Sequence, residues 1–128
     1  MGVAEGFKPV RVLIIEDSDD ILVLLKTELE LLGYTVEAAR DGIQGLAAAQ
    51  RFRPDVVVSD IGLPGIDGFE FVQRARHTPG LTKVPVVALT GYDLQNDRAL
   101  ARQFDACVIK PVDCGTLSRL IQDLLARS

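Results

Sequence analysis

Five short runs of β-branched and other apolar residues, each followed by a segment with helical spacing, constrain the fold of this chain most. The runs are VRVLII (10–15), YTVEAA (34–39), VVVSD (56–60), VPVVALT (84–90) and ACVI (106–109). After the first, Asp19 and Asp20 offer capping side chains to ILVLLKTELELL, whose apolar residues recur at helical spacing until Gly33. Asp41-Gly42 opens a helix to about residue 52, closed by Pro54. Further helices are predicted over 68–76, with Asp67 as its cap, over 94–104, and from Asp113, another cap, to about residue 126. Pro85 is tolerable near the start of the fourth strand.

Strands that alternate with helices at this spacing imply parallel βαβ units. Nearly continuous apolar strands are what a parallel sheet needs when helices cover both its faces. The expected architecture is therefore an α/β three-layer sandwich of flavodoxin-like (βα)5 type, with a five-stranded parallel sheet. At 128 residues the chain fits one domain. No linker, repeat or low-complexity tract divides it, and residues 1–9 read as a short leader.

Composition excludes more than it assigns. With 48% apolar and 25% charged residues the chain is an ordinary soluble globular sequence, and no apolar run approaches the ~20 residues of a membrane helix. The opening MGVAEGFKPV lacks the charged end and apolar stretch of a secretory signal, so a cytoplasmic protein without membrane insertion is expected. A net charge of −4 without any basic stripe argues against direct binding to nucleic acid. Cys107 and Cys114 match no zinc or CxxC spacing. Cys107, inside an apolar run, is expected in the core. Cys114 falls near a helix start, a place that can lower a thiol pKa, although a structural role is the simpler reading.

Polar residues gather at equivalent places, the carboxyl ends of strands. Glu16 and Asp17 follow the first strand, Asp60 ends the third, Thr90 ends the fourth and Lys110 follows the fifth. All such ends lie on one edge of a parallel sheet, where open α/β folds carry their sites. With the strand order 2-1-3-4-5, strands one and three are neighbours, so Glu16, Asp17 and Asp60 would share one pocket, flanked by Thr90 and Lys110. Three converging carboxylates call for a hard cation, and oxygen ligands with room for water favour magnesium over zinc. A cation and an ammonium facing each other suit a phosphoryl group in transfer, and Asp60 is the natural nucleophile, able to form an aspartyl phosphate.

The set IIEDSDD, PDVVVSDIGLPGIDGFE, VPVVALTGY and CVIKPVD, in that order and at these spacings, resembles the receiver domain of two-component response regulators. The resemblance runs over nearly the whole chain and implies a receiver domain over 10–128. The run LTGY…FDACVIKPVD looks most like receivers attached to hybrid histidine kinases. By this resemblance Asp60 takes a phosphoryl group from a phosphohistidine on a histidine kinase or histidine phosphotransferase. Asp17, Asp60 and the backbone carbonyl of Gly62 bind Mg2+, with Glu16 acting through a water. Lys110 pairs with the phosphoryl oxygens and Asp60, Thr90 hydrogen-bonds the phosphoryl group, and the backbone N–H of Gly91 assists. The Lys110-Pro111 bond is expected to be cis, aiming the lysine inward. Such a domain is a signalling module, not an enzyme beyond its self-phosphorylation and autodephosphorylation, and is a monomer or a weak, phosphorylation-dependent dimer. Its output is a changed loop after Thr90 and a changed face formed by the helix of 94–104, the fifth strand and the last helix.

Two positions depart from the family pattern. The aromatic residue that receivers usually carry three places before the lysine is Cys107 here, so the loop after Thr90, with Tyr92, is expected to carry the conformational change. Gly62, two residues after the acceptor, has no side chain to orient an attacking water, and Tyr92 is placed to shield the phosphoryl group, so slow loss of phosphate is expected. His77, the one histidine, is expected to face solvent and lacks the helical context of a phosphodonor. Asp19 and Asp20 read as capping and surface residues. Two other chemistries share this architecture. A magnesium-dependent phosphatase of the haloacid-dehalogenase type would carry a second aspartate two residues after its nucleophile, where this chain has Gly62. A flavodoxin-like cofactor binder would carry a Ser/Thr/Gly-rich phosphate loop where this chain has the acidic EDSDD.

Overall fold

Alternate residues of a strand face opposite sides of a sheet, and here both sides are covered. A computed structural model of the chain describes residues 8–91 and 102–127. Its elements run β1 (Arg11–Ile15), α1 (Asp19–Leu31), β2 (Thr35–Ala39), α2 (Gly42–Phe52), β3 (Val56–Asp60), α3 (Gly68–Arg76), β4 (Val86–Thr90), β5 (Ala106–Ile109) and α4 (Cys114–Ala126). The strands form one parallel sheet in the order β2-β1-β3-β4-β5. Leu13, Ile15, Val57, Val86 and Ala88 face α2 and α3, packing with Ala48, Phe52, Phe71 and Val72. Their neighbours Val12, Ile14, Val58, Val87 and Leu89 face α1 and α4, packing with Leu25, Leu29, Leu117 and Ile121. This is the three-layer α/β sandwich expected from the alternation. The expected helix of 94–104 lies, up to residue 101, outside the described residues, and residues 102–104 form a turn and bend.

The helix starts follow local chemistry. The carboxylates of Asp41, Asp67 and Asp113 accept the backbone N–H of Gln44, Glu70 and Thr116 at 2.7, 2.9 and 3.0 Å. At α1 the cap position belongs to Ser18, whose side chain makes no capping bond; Asp19 and Asp20 lie in the first turn instead. There their negative charge complements the helix N-terminus, and Asp19 pairs with Arg40. α1 stops at Leu32, followed by Gly33 with φ +100°. α2 stops at Arg53, a non-glycine residue at φ 57° held just before Pro54.

Cys107 departs from expectation. It is exposed, not in the core. β5 is the last strand of the sheet order, and its residues alternate between half-buried and exposed instead of being buried on both faces. An apolar run alone does not distinguish a central strand from such an edge.

Between β3 and α3 the loop drives Ile61, Leu63 and Ile66 into the core and leaves Gly62, Pro64 and Gly65 outside. Its ends are drawn together by Gly68 N–H donating to the Ile61 carbonyl at 2.9 Å. Gly68 is required there, because a Cβ would stand 2.7 Å from the Asp60 carbonyl oxygen and 2.9 Å from Ile61 Cα. Gly68→Ala should therefore cost about 1–3 kcal/mol, as overpacking against backbone does. Gly62→Ala, whose Cβ would meet nothing within 4 Å, should stay within about 0.5 kcal/mol of wild type. Denaturant melts of the two variants check the contrast, and equal losses would contradict it.

The Asp113 carboxyl is held below its ordinary value of 3.8, first by the Thr116 hydroxyl and then by the Thr116 N–H. A depressed carboxyl stabilises the fold above its unfolded value and loses that contribution as pH falls through the folded one. Asp113→Ala should lower the melting temperature at neutral pH, and the gap from wild type should shrink once pH falls well below 3.8. Melts across that range measure it, and a pH-independent gap would contradict it.

Candidate functional site

The parallel register brings the strand ends together. The β1–β3 pairing places Ile15 beside Ser59, so Glu16 and Asp17 emerge next to Asp60. The β4–β5 pairing places Thr90 beside Ile109, and Lys110 N–H donates to the Thr90 carbonyl at 2.7 Å. One carboxylate oxygen from each of Glu16, Asp17 and Asp60 lies within 4.8 Å of the others. The three carboxylates predicted to share a pocket, from two strand ends, lie together.

Lys110 stands among these acids. Its Nζ is 3.0 Å from Glu16 Oε1 and 3.3 Å from Asp60 Oδ2. Glu16 is fully buried and Asp60 is 9% exposed, while Asp17 is open to solvent. Glu16 Oε2 accepts the Ser18 N–H at 3.0 Å, which fixes the carboxylate against the start of α1. Burial pushes the Glu16 carboxyl above its ordinary range and the Asp60 charge adds to this, with the Ser18 N–H and Lys110 opposing. Burial works to lower the Lys110 ammonium, but Glu16 and Asp60 outweigh it and hold it above its ordinary value. The lysine is therefore a fixed positive charge over two acids.

The donor set fits a hard cation. Glu16 Oε1 is buried and makes no hydrogen bond of good geometry, its charge being met by the Lys110 ammonium at 3.0 Å. Three carboxylates are all-oxygen ligands open to water on the Asp17 side, a set suited to magnesium. Gly62, exposed two residues after Asp60, directs its N–H to Asp60 Oδ1 at 3.3 Å.

Of the other predicted positions, Thr90 is buried at the end of β4 and Gly91 is exposed beside it. Tyr92 lies outside the described residues. The Lys110-Pro111 bond is cis. His77 is exposed at the end of α3, with Nδ1 2.8 Å from the Gln73 carbonyl, away from the site. Cys114 is buried at the first turn of α4; burial, reinforced by the Glu28 carboxylate, pushes its thiol up to about 12, the reverse of the lowering that a helix start can bring. Sequence reasoning missed an apolar groove of about 380 Å³ beside Lys110, lined by Ile21, Leu24, Leu25, Pro111 and Val112. The doubled apolar face of ILVLLKTELELL was its signal: Leu25 is buried, while Val23 and Leu24 remain more than half exposed.

Known proteins resemble this chain over most of its length. Protein PilH of Pseudomonas aeruginosa is 34% identical over 118 residues, covering 91% of this chain and 98% of PilH. The DNA-binding dual master transcriptional regulator RpaA of Synechocystis is 35% identical over 120 residues, covering 92% of this chain and 50% of RpaA, so the chain spans about half the length of that relative. Among solved structures, the receiver domain of the sensor histidine kinase PA1611 from Pseudomonas aeruginosa superposes with a TM-score of 0.84. The two are 30% identical, over 93% of this chain and 99% of that one, and the PA1611 domain has a magnesium ion coordinated in its active site cleft. The response regulator receiver domain model matches residues 12–122. With that match covering most of its length and the strand-end acids and lysine gathered on one edge, the chain belongs to the response regulator receiver domain family of two-component signalling.

Proposed function

We propose that this chain is a phosphoacceptor: Asp60 receives a phosphoryl group from a phosphohistidine on a histidine kinase or histidine phosphotransferase, and the modified domain signals by altered partner binding. The observation that carries this reading is the Lys110 ammonium 3.3 Å from Asp60 Oδ2, in a pocket that Glu16 and Asp17 also enter. An acid so placed can attack phosphorus while a fixed cation waits for the charge that the phosphoryl oxygens bring. The receiver domain occupies residues 10–128 and operates in the cytoplasm.

A carboxylate oxygen of Asp60 forms the new O–P bond while the N–P bond of the phosphohistidine breaks, and the electron pair of that bond goes to the leaving imidazole nitrogen. Lys110 follows the charge onto the phosphoryl oxygens, with Thr90 as hydroxyl donor and the Gly91 N–H as backbone donor. Asp17, Asp60 and the Gly62 carbonyl would hold Mg2+, with Glu16 acting through a water. Bound there, the ion supplies neutralisation of the crowded carboxylates and of the phosphoryl oxygens. The apolar groove beside Lys110 gives a protein phosphodonor a footing next to the acceptor. The outcome is carried to the loop after Thr90 and to the face of β5 and α4, with the chain monomeric or weakly dimeric once modified. Domains of this kind attach to hybrid kinases as well as standing alone, and the PA1611 receiver supports the hybrid resemblance.

Incubation with phosphoramidate and Mg2+ should add one phosphoryl mass to the intact chain. Asp60→Asn should abolish the addition, and chelation of Mg2+ should suppress it strongly. A well-folded wild type whose mass does not change would overturn the reading.

The open space around Gly62 bears on how long the group persists. A side chain added there meets nothing within 4 Å, so an amide would be free to orient a hydrolytic water. Gly62→Asn should shorten the lifetime of the phosphorylated chain by about threefold to tenfold, well below the roughly hundredfold or more that a positioned acid or base contributes. Following the decay of phosphorylated wild type and variant by intact mass measures this, and equal lifetimes would contradict it.

A further inference from the structure

Among the described residues, the buried polar side chains of the core are Glu16, Ser59, Asp60, Thr90 and Ser118. Three of them belong to the candidate site. Ser118 has a hydroxyl partner in Tyr34 at 2.6 Å, within the α1–α4 side of the core. Ser59 is the one left to explain.

Ser59 is fully buried in the middle of the sheet, in register with Ile15 of β1 and Ala88 of β4. By alternation it shares a face with Val57, the face covered by α2 and α3, where its surroundings are apolar. Alanine or valine would suit that place without any polar group to satisfy, whereas a hydroxyl buried there is unfavourable unless hydrogen-bonded. Its bond goes to the acceptor's own backbone: Ser59 Oγ donates to the Asp60 carbonyl at 3.0 Å. The same carbonyl is also crowded by Gly68, where even a Cβ would approach to 2.7 Å. The far end of that peptide is also tied, since the Ile61 N–H donates to the Leu89 carbonyl at 3.2 Å. The orientation of this peptide sets the course of the chain into Gly62, whose N–H meets Asp60 Oδ1.

We propose that Ser59 is a positioning residue for phosphoryl acceptance: from the face of the sheet opposite the site, its hydroxyl holds the Asp60 peptide in the orientation from which the carboxylate reacts. It touches neither phosphodonor nor cation and acts only through Asp60. The inference rests on the reading of Asp60 as acceptor.

The test compares hydroxyl and methyl at equal volume. Ser59→Thr and Ser59→Val differ only in that group and share the same extra bulk, while Ser59→Ala removes the hydroxyl without adding any. Initial phosphorylation rates are measured by intact mass at saturating phosphoramidate and Mg2+, at a temperature well below each variant's melting point, where stability alone does not alter rate. Ser59→Ala should be slower than wild type, and Ser59→Val slower than Ser59→Thr, each by about fivefold, a sub-ångström share of the loss that misplacement of a reacting group brings. The phosphoramidate concentration giving half-maximal rate should not move, because Ser59 does not contact the donor. Should Ser59→Ala match wild type, or Ser59→Val match Ser59→Thr, while wild type is modified normally, the positioning role is overturned. A wild type that is not modified at all overturns instead the acceptor reading beneath it.

Discussion

The Lys110 ammonium, held 3.0 Å from Glu16 and 3.3 Å from Asp60, is the interaction on which the rest of this structure turns. Two carboxylates largely removed from water beside a third would repel one another and resist ionisation. A cation carried in on β5 makes their proximity tolerable and joins three strands at their carboxyl ends. β1 brings Glu16, β3 brings Asp60 and β5 brings Lys110, although β5 does not pair with either of the other two. The charge pattern thus depends on the sheet being intact across its width. Truncating Lys110 would leave two largely buried carboxylates facing each other uncompensated, which is more destabilising than the intact pairing is stabilising.

Charge alone would not place Asp60. The backbone around it is set by close packing, and glycine makes that packing possible. Gly68 lets the start of α3 rest on the Asp60 carbonyl, and Gly42 lets α2 approach the Ile66 carbonyl, where a Cβ would come to 2.6 Å. Ile61, Leu63 and Ile66 meanwhile anchor the intervening loop in the core. The result is a loop whose polar backbone faces the site and whose apolar side chains prevent it from moving away. A site on a loop anchored this way can be as well defined as one on a helix or strand.

Much of this was legible in the sequence, for reasons of period and position. Apolar runs alternating with helical spacing marked β1 to β5 to within two residues at either end, and VVVSD coincided with β3 because nothing in it competes with a strand. Glu16, Asp17, Asp60 and Lys110 were legible as a group because a parallel sheet puts every strand end on one edge. What escaped depends on neighbours that a one-dimensional pattern does not specify. Cys107 looked like core because the run ACVI is apolar, yet its strand is at the edge of the sheet. Asp19 and Asp20 had the right side chains for a cap, yet the chain turns at Ser18, one residue earlier. Arg53 adopts a left-handed conformation that its residue type disfavours, at the place where α2 ends and its N–H donates to the Ala49 carbonyl.

Ser59 belongs with these hidden features, for a different reason. A serine after three valines reads from sequence as a strand nearing its end, or as a small residue filling a tight place. Its meaning depends on three facts that sequence does not carry together: complete burial, an apolar face, and a bond to the next residue's carbonyl. One face of β3 displays Asp60 to Lys110 and the acids, while the opposite face supplies the hydroxyl bonded to the same peptide. Because side chains alternate across a strand, the residue before a functional one always lies on the other side of the sheet. That position is fully buried, and it is the nearest place from which the core can govern the geometry of Asp60.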